Sequence, residues 1–303
     1  MNLISRQDLG HRLHLVWCAL AAASWLVKLF PQLDFVSKHG KLNDSVSTQH
    51  RHISCGDNTS AGASVAGALA ALTVPKYWFT HLYITGIATT LITLLQRRVW
   101  SRDESIVATE TVCLGLFALH CTRRLLECWY VIEFGESRMH TSGYLVGLLH
   151  YLLVPMSLSP SLSLSVSGAR TPSVHTFEHS TMQASTTQIA AILIFFVASY
   201  FQHMYHRVLS SSTIKHTGSG KKQYIFPRGG LFNYVSCPHY TCEIMIYICF
   251  NLLLQEKNTC ILLIWVISNL SVVAQVNLEW YKRMFPSEME KKKNWKSCIP
   301  FLY

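Results

Sequence analysis

The chain has 303 residues, half of them hydrophobic and only 14% charged, with a formal net charge of +10. A soluble domain carries about 25% charged residues, so the composition argues against an ordinary soluble globular protein. The positive charge is not laid out as a basic stripe with interleaved stacking aromatics, which argues against nucleic-acid binding.

The apolar residues come in blocks of about 17–25, the length that crosses a hydrocarbon layer. In chain order the blocks are residues 13–30, 77–95, 105–120, 142–164, 187–209, 240–254 and 259–280, the third and sixth being the weakest. They predict an all-α, polytopic membrane protein with about seven transmembrane helices. In the first block Ala21, Ala22 and Ala23 resemble a signal-peptide cleavage region. The length of that block and the spans after it favour a retained helix. Residues 38–64 and 168–188 are Ser-rich, low-complexity stretches that read as loops. Gly143 and Gly147 make a GxxxG pattern in the fourth block, a signature of close helix packing. The ten cysteines include no CxxC pair, so neither a zinc site nor a disulfide framework is indicated.

Basic residues set an orientation. With a lumenal N-terminus and a cytosolic C-terminus, the cytosolic segments hold Lys76, Arg123, Arg124, Arg138, Arg228 and the lysines at 291–293. Positive residues collect on the cytosolic side; Arg97, Arg98 and Arg102 depart from that rule. The glycosylation sequons at Asn43 and Asn58 then face the cytosol and stay unmodified.

Four polar constellations interrupt the apolar pattern. Within the second block, the run FTHLY places Thr80, His81 and Tyr83 at membrane depth, as catalytic groups or as ties between helices. In HCTRRLLECWYV, His120, Arg124 and Glu127 share one helical face, and Arg123 stands one turn before Glu127. That pattern suits either an ion-paired helix end or an anion site built on paired guanidiniums. Near the end of the fifth block, Gln202 and His206 stack one turn apart; His203 and His206 are a single histidine pair, too few for a multi-histidine metal centre, and no metal is expected. Between residues 221 and 240, Lys221, Lys222 and Arg228 accompany Gly229 and Gly230, with Tyr224, Phe232 and Tyr234 as flat faces. Such a loop suits a dinucleotide at a cytosolic mouth, or is an ordinary basic loop beside the membrane. The chain has no GxGxxG and no GxxxxGK[ST], so a nucleotide is not held by a Rossmann or P-loop device.

Taken together, the motifs resemble the steroid 5-alpha-reductase family, in its polyprenol reductase branch. The matching stretches are FTHLY from Phe79, HxxRRxxECxYV from His120, SRMHTSGYLVGL from Ser137, QxxxH from Gln202, LFNYVSCPHYxxE from Leu231, and the tail EWYKRMF…IPFLY from Glu279. The resemblance implies a reductase domain over residues 77–303, preceded by a helix and a polar loop over 1–76. It implies an endoplasmic-reticulum membrane enzyme with NADPH bound from the cytosolic side. The cofactor positions it implies are Arg124, Gln202, His206, Tyr224, His239, Glu243 and Tyr281. Steroid-reducing members have a tyrosine where this chain has Cys121, which argues against a steroid ketone as substrate. The implied reaction saturates the double bond of the isoprene unit nearest the oxygen in a polyprenoid lipid, in dolichol synthesis. An isolated allylic alcohol offers no sink for the charge that hydride addition creates, so polyprenal is expected rather than polyprenol. His81 and Tyr83 are the expected donors to the developing enolate, with His120 behind them. The Cys237-Pro238-His239-Tyr240 run also resembles membrane methyltransferases of the isoprenylcysteine or phospholipid type, which keeps methyl transfer, along with 3-oxo-steroid reduction, as an alternative.

Overall fold

The computed structural model describes residues 6–29, 71–100, 104–161, 181–215, 222–292 and 295–298. Its helices are α1 (Arg6–Leu29), α2 (Phe79–Trp100), α3 (Glu104–Tyr130), α4 (Thr141–Ser157), α5 (Thr181–Ser211), α6 (Pro238–Leu254), α7 (Lys257–Met284) and the short α8 (Pro286–Lys291). Each predicted apolar block overlaps one of these helices, the block 142–164 running on past the end of α4 at Ser157. The segments Lys76–Gln96, Thr186–Ser211 and Lys257–Met284 are long and apolar enough to cross a membrane. The loop expected at 38–64, with Asn43 and Asn58, lies outside the described residues. The loop expected at 168–188 is shorter than predicted, because α5 is already helical from Thr181.

Helix ends follow local chemistry. His140 caps α4, its Nδ1 accepting from the Ser142 backbone N–H at 3.3 Å. Pro238 opens α6, where a missing N–H costs nothing. Gln255 stops α6 in the left-handed conformation at φ 53° and donates its N–H to Asn251 O. Glu256 then caps α7, so α6 and α7 form a tight helical hairpin.

Packing is ordered around α2 and α6. The helix pairs α5–α6, α1–α7, α2–α3 and α2–α4 make the main interfaces. Trp17, Phe117, Phe195, Ile246 and Phe250 are fully buried between them. Two glycines let α2 approach its neighbours. A Cβ at Gly86 would stand 2.8 Å from Cys121 Sγ and 2.9 Å from a Tyr151 ring carbon. A Cβ at Gly147 would stand 2.9 Å from a Leu82 methyl carbon, so the GxxxG glycine at 147 serves close packing. Gly86→Val is therefore expected to destabilise by ~1–3 kcal/mol. Thermal unfolding in detergent checks this against Gly115→Ala, where an added Cβ meets nothing within 4 Å; equal melting of the two variants would refute it.

One end of the bundle is tied by short pairings. Strand β1 (Thr73–Pro75) runs antiparallel to β2 (Arg138–His140), joining the entry to α2 with the entry to α4. Strands β3 (Thr213–Lys215) and β4 (Lys222–Tyr224) pair after α5. The chain end then folds back on the segment before α6. Lys296 N donates to Tyr234 O at 3.0 Å, Ser236 N to Lys296 O at 2.9 Å and Cys237 N to Ser297 O at 3.0 Å. Trp295 Nε1 donates to Phe232 O at 2.8 Å. This clasp fixes the start of α6, and with it His239 and Glu243.

Candidate functional site

The C-terminal turns of α3 and α5 and the first turns of α2 and α6 meet at that tied end. Glu127 is at the centre, nearly inaccessible to water. Its Oε1 accepts from Arg123 Nη1 at 2.5 Å and from His203 Nδ1 at 3.0 Å. Its Oε2 accepts from Arg124 Nη1 and stands 2.7 Å from His206 Nδ1, which also lies 2.6 Å from Arg124 Nη1. One carboxylate therefore holds two helices together. His203 and His206, the histidine pair of the sequence, both aim Nδ1 at this carboxylate.

A second carboxylate lies alongside. Glu243 Oε2 accepts from Gln202 Nε2 at 2.5 Å. Gln202 also donates to His239 O at 3.2 Å and accepts from Arg123 Nη2, so it links α3, α5 and α6. Arg123 Nη2 lies 3.2 Å from His120 Nδ1. A guanidinium only donates, so Nδ1 accepts, the ring proton is on Nε2, and Nε2 stands 3.3 Å from Glu243 Oε1. Two guanidiniums and two carboxylates thus balance in a partly dry site, where an unpaired charge would be costly.

A cavity of about 560 Å³ opens beside this network, within the range of small-molecule and cofactor sites. Arg124, Gln202, His206, Tyr224, His239, Glu243 and Tyr281 all line it. The three expected catalytic groups are separated. Tyr83 lines the cavity, and its hydroxyl oxygen accepts from Arg124 Nη2 at 2.9 Å. His81 is exposed outside it, with Nδ1 3.1 Å from Tyr144 Oη. Residues two apart on a helix point about 200° apart, so His81 and Tyr83 do not share a face. His120 is fully buried behind Glu243 rather than in the cavity wall.

The basic loop is only partly as expected. Tyr224 lines the cavity and meets Trp280 edge-on, with centroids 5.1 Å apart. Arg228 points away, 70% exposed and paired with Glu288 at 2.9 Å. Phe232 is fully buried and Tyr234 exposed. Gly229 and Gly230 take φ of 95° and 54°, which let the chain turn back over Tyr205. Lys221 lies outside the described residues.

The deeper wall holds groups that the motifs did not reveal. His150 of α4, Tyr247 of α6 and Trp265 of α7 line it together. One signal was present in the sequence: Tyr247 follows Glu243 by four residues and so shares its helical face.

The arrangement fits a charged, elongated ligand at one end and an apolar one at the other. Arg124 and His206 face the polar end, with Tyr224 and Trp280 as flat surfaces for a ring system. Leu20, Leu82, Val146, Val266 and Leu270 line the apolar part.

Residues 169–303 match the family model described as 3-oxo-5-alpha-steroid 4-dehydrogenase. The chain is 28% identical over 255 residues to the polyprenal reductase of Caenorhabditis elegans, covering 76% of this chain and 80% of the relative. It is 29% identical over 262 residues to that of Drosophila melanogaster, covering 77% and 78%. With the polyprenal reductase of Rattus norvegicus it shares 26% identity over 328 residues, 96% of each chain. The similarity therefore extends well beyond the matched domain. The resemblance carried by the motifs is borne out: residues 169–303 match the model of the 3-oxo-5-alpha-steroid 4-dehydrogenase family, in a chain similar to polyprenal reductases over most of its length.

Proposed function

We propose that this chain is an NADPH-dependent reductase of the endoplasmic-reticulum membrane that converts polyprenal to dolichal. The observation that carries the reading is the cavity itself, with the Tyr83 hydroxyl and Arg124 in its wall between the charged network and apolar side chains. The names of the relatives favour reduction over methyl transfer. Cys121, where steroid-reducing members have a tyrosine, is buried against Gly86 in the helix packing and favours a polyprenoid over a steroid.

Bound NADPH supplies a hydride for the β carbon of the unsaturated aldehyde. Arg124, Gln202, His206, Tyr224, His239, Glu243 and Tyr281 would hold that cofactor at the polar end. A phosphate group there would share Arg124 with Glu127, which Arg123 keeps neutralised. As the β carbon is reduced, negative charge moves to the carbonyl oxygen. Tyr83 meets it: its own oxygen is occupied by Arg124, so its hydrogen is free to donate. Such a donor is effective because it is already oriented in a water-poor site. A proton at the α carbon completes the saturation. The isoprenoid tail lies along the apolar wall. It arrives from lipid rather than water, so its burial contributes little, and the head group sets specificity.

The test is purified protein with NADPH and either polyprenal or polyprenol. NADPH-dependent loss of polyprenal is expected. Direct turnover of polyprenol with no aldehyde formed would overturn the substrate, and consumption of S-adenosylmethionine would overturn the reaction class.

About seven spans, residues 77–303 as the reductase unit and a cytosolic C-terminus complete the proposal. In this orientation the tied end, with Lys76, Arg138 and Lys292, faces the cytosolic cofactor pool. A C-terminal tag on microsomes is expected to be digested by added protease; a protected tag would invert the orientation.

A further inference from the structure

Deep in the cavity, three side chains from three helices form a directed hydrogen-bond chain. Trp265 Nε1 of α7 donates to His150 Nδ1 of α4 at 3.1 Å. An indole nitrogen can only donate, so His150 Nδ1 must accept. The imidazole is then the neutral tautomer with its proton on Nε2. That Nε2 lies 2.7 Å from Tyr247 Oη of α6 and therefore donates to it. The Tyr247 oxygen is taken as an acceptor, and its hydrogen has no other partner among the described residues. Packing locks the ring of His150: it meets Trp17 at 5.7 Å and Tyr151 at 5.2 Å between centroids, both nearly edge-on.

The direction of this chain has a chemical consequence. Every link passes a donor toward the cavity, so the oxygen of Tyr247 already accepts from His150 and its hydrogen is offered to the cavity. Tyr83 is arranged the same way, with Arg124 as its upstream donor. The two arrangements adjoin one side chain: the ring of Tyr151 meets Tyr83 and His150, each at 5.2 Å between centroids and nearly edge-on. A carbonyl or enolate oxygen accepts two hydrogen bonds and donates none.

We propose that Tyr247 is a second donor to the aldehyde oxygen of the substrate, with His150 as the residue that positions it. The assignment rests on the polyprenal reading above. It gives that reading a basis for selecting aldehyde over alcohol: two tyrosines whose oxygens already accept from Arg124 and His150 present hydrogens that suit a carbonyl, whereas a hydroxyl group brings a further hydrogen that must compete for those oxygens.

The test compares Tyr247→Phe, His150→Phe and His150→Gln with the unaltered protein on polyprenal. It adds competitive inhibition by a polyprenyl hydrocarbon of equal length that lacks the oxygen. Tyr247→Phe is expected to lower kcat/KM for polyprenal by about 10–100-fold, the range for one charge-assisted hydrogen bond. The KM for NADPH and the inhibition constant of the hydrocarbon are expected to stay unchanged. His150→Phe is expected to show the same loss. His150→Gln, which again pairs an acceptor with a donor, is expected to recover most of it. A Tyr247→Phe variant with full turnover would overturn the assignment. So would a parallel loss of hydrocarbon inhibition, because damaged packing affects both ligands and a missing donor affects only the aldehyde. An unaltered protein that leaves polyprenal untouched is a distinct result, and it would overturn the reaction and this assignment together.

Discussion

Glu127→Ala is expected to lower stability by ~3–5 kcal/mol, the cost of removing one member of a buried ion pair. Glu127 receives hydrogen bonds from Arg123, Arg124 and His203 and lies against His206. Removing it leaves two guanidiniums without their carboxylate in a partly dry site and weakens the polar tie between α3 and α5, of which the contact of Arg123 with Gln202 remains. Glu288→Ala is the natural contrast. Its partner Arg228 is 70% exposed, and an exposed pair is worth about 0–1 kcal/mol. Thermal unfolding of both variants in the same detergent decides the matter. If they melt alike, the Glu127 network does not hold these helices, and the apolar contacts of α5 with α6 carry that role. Glu127→Gln is expected to fall between the two, since an amide oxygen still accepts while its NH₂ faces donors.

The helices were legible because hydrocarbon thickness imposes a length on apolar blocks, and α1, α2 and α4–α7 follow those blocks closely. Helix ends were less legible. The third apolar block ends at 120, and α3 runs on to Tyr130, because Arg123, Arg124 and Glu127 neutralise one another across a turn, on the helical face that their spacing predicts. The residues that the resemblance implies for the cofactor line one cavity, because the fold brings their motifs together at the tied end of the bundle. His81 shows the limit of reading a motif as a unit: two residues from Tyr83 along a helix, it faces away. His150 and Tyr247 lie 97 residues apart in apolar helices. Only the packing of α4 against α6 and α7 joins them, so spacing in the sequence could not.

Tyr83→Phe is expected to cut kcat on polyprenal by about 10²–10³, the effect of removing one preorganised donor from a developing oxyanion. The substitution is conservative in every other respect. The ring keeps its edge-on contact with Tyr151 at 5.2 Å and its place under the Arg124 guanidinium, 5.3 Å from the ring centroid. Arg124 keeps Glu127 as an acceptor, so the KM for NADPH and the melting temperature are expected to change little. His81→Phe, on the opposite face and exposed, is expected to keep near-normal turnover. Measured side by side, the two variants separate catalysis from packing. A fall in kcat for His81→Phe with none for Tyr83→Phe would mean that the substrate approaches α2 from its outer face. A fall for neither would mean that the oxygen is held elsewhere in the cavity. Because Tyr83 and Tyr247 would act on one oxygen, the double variant is expected to lose less than the product of the single losses. Residues that act on a common group are not additive.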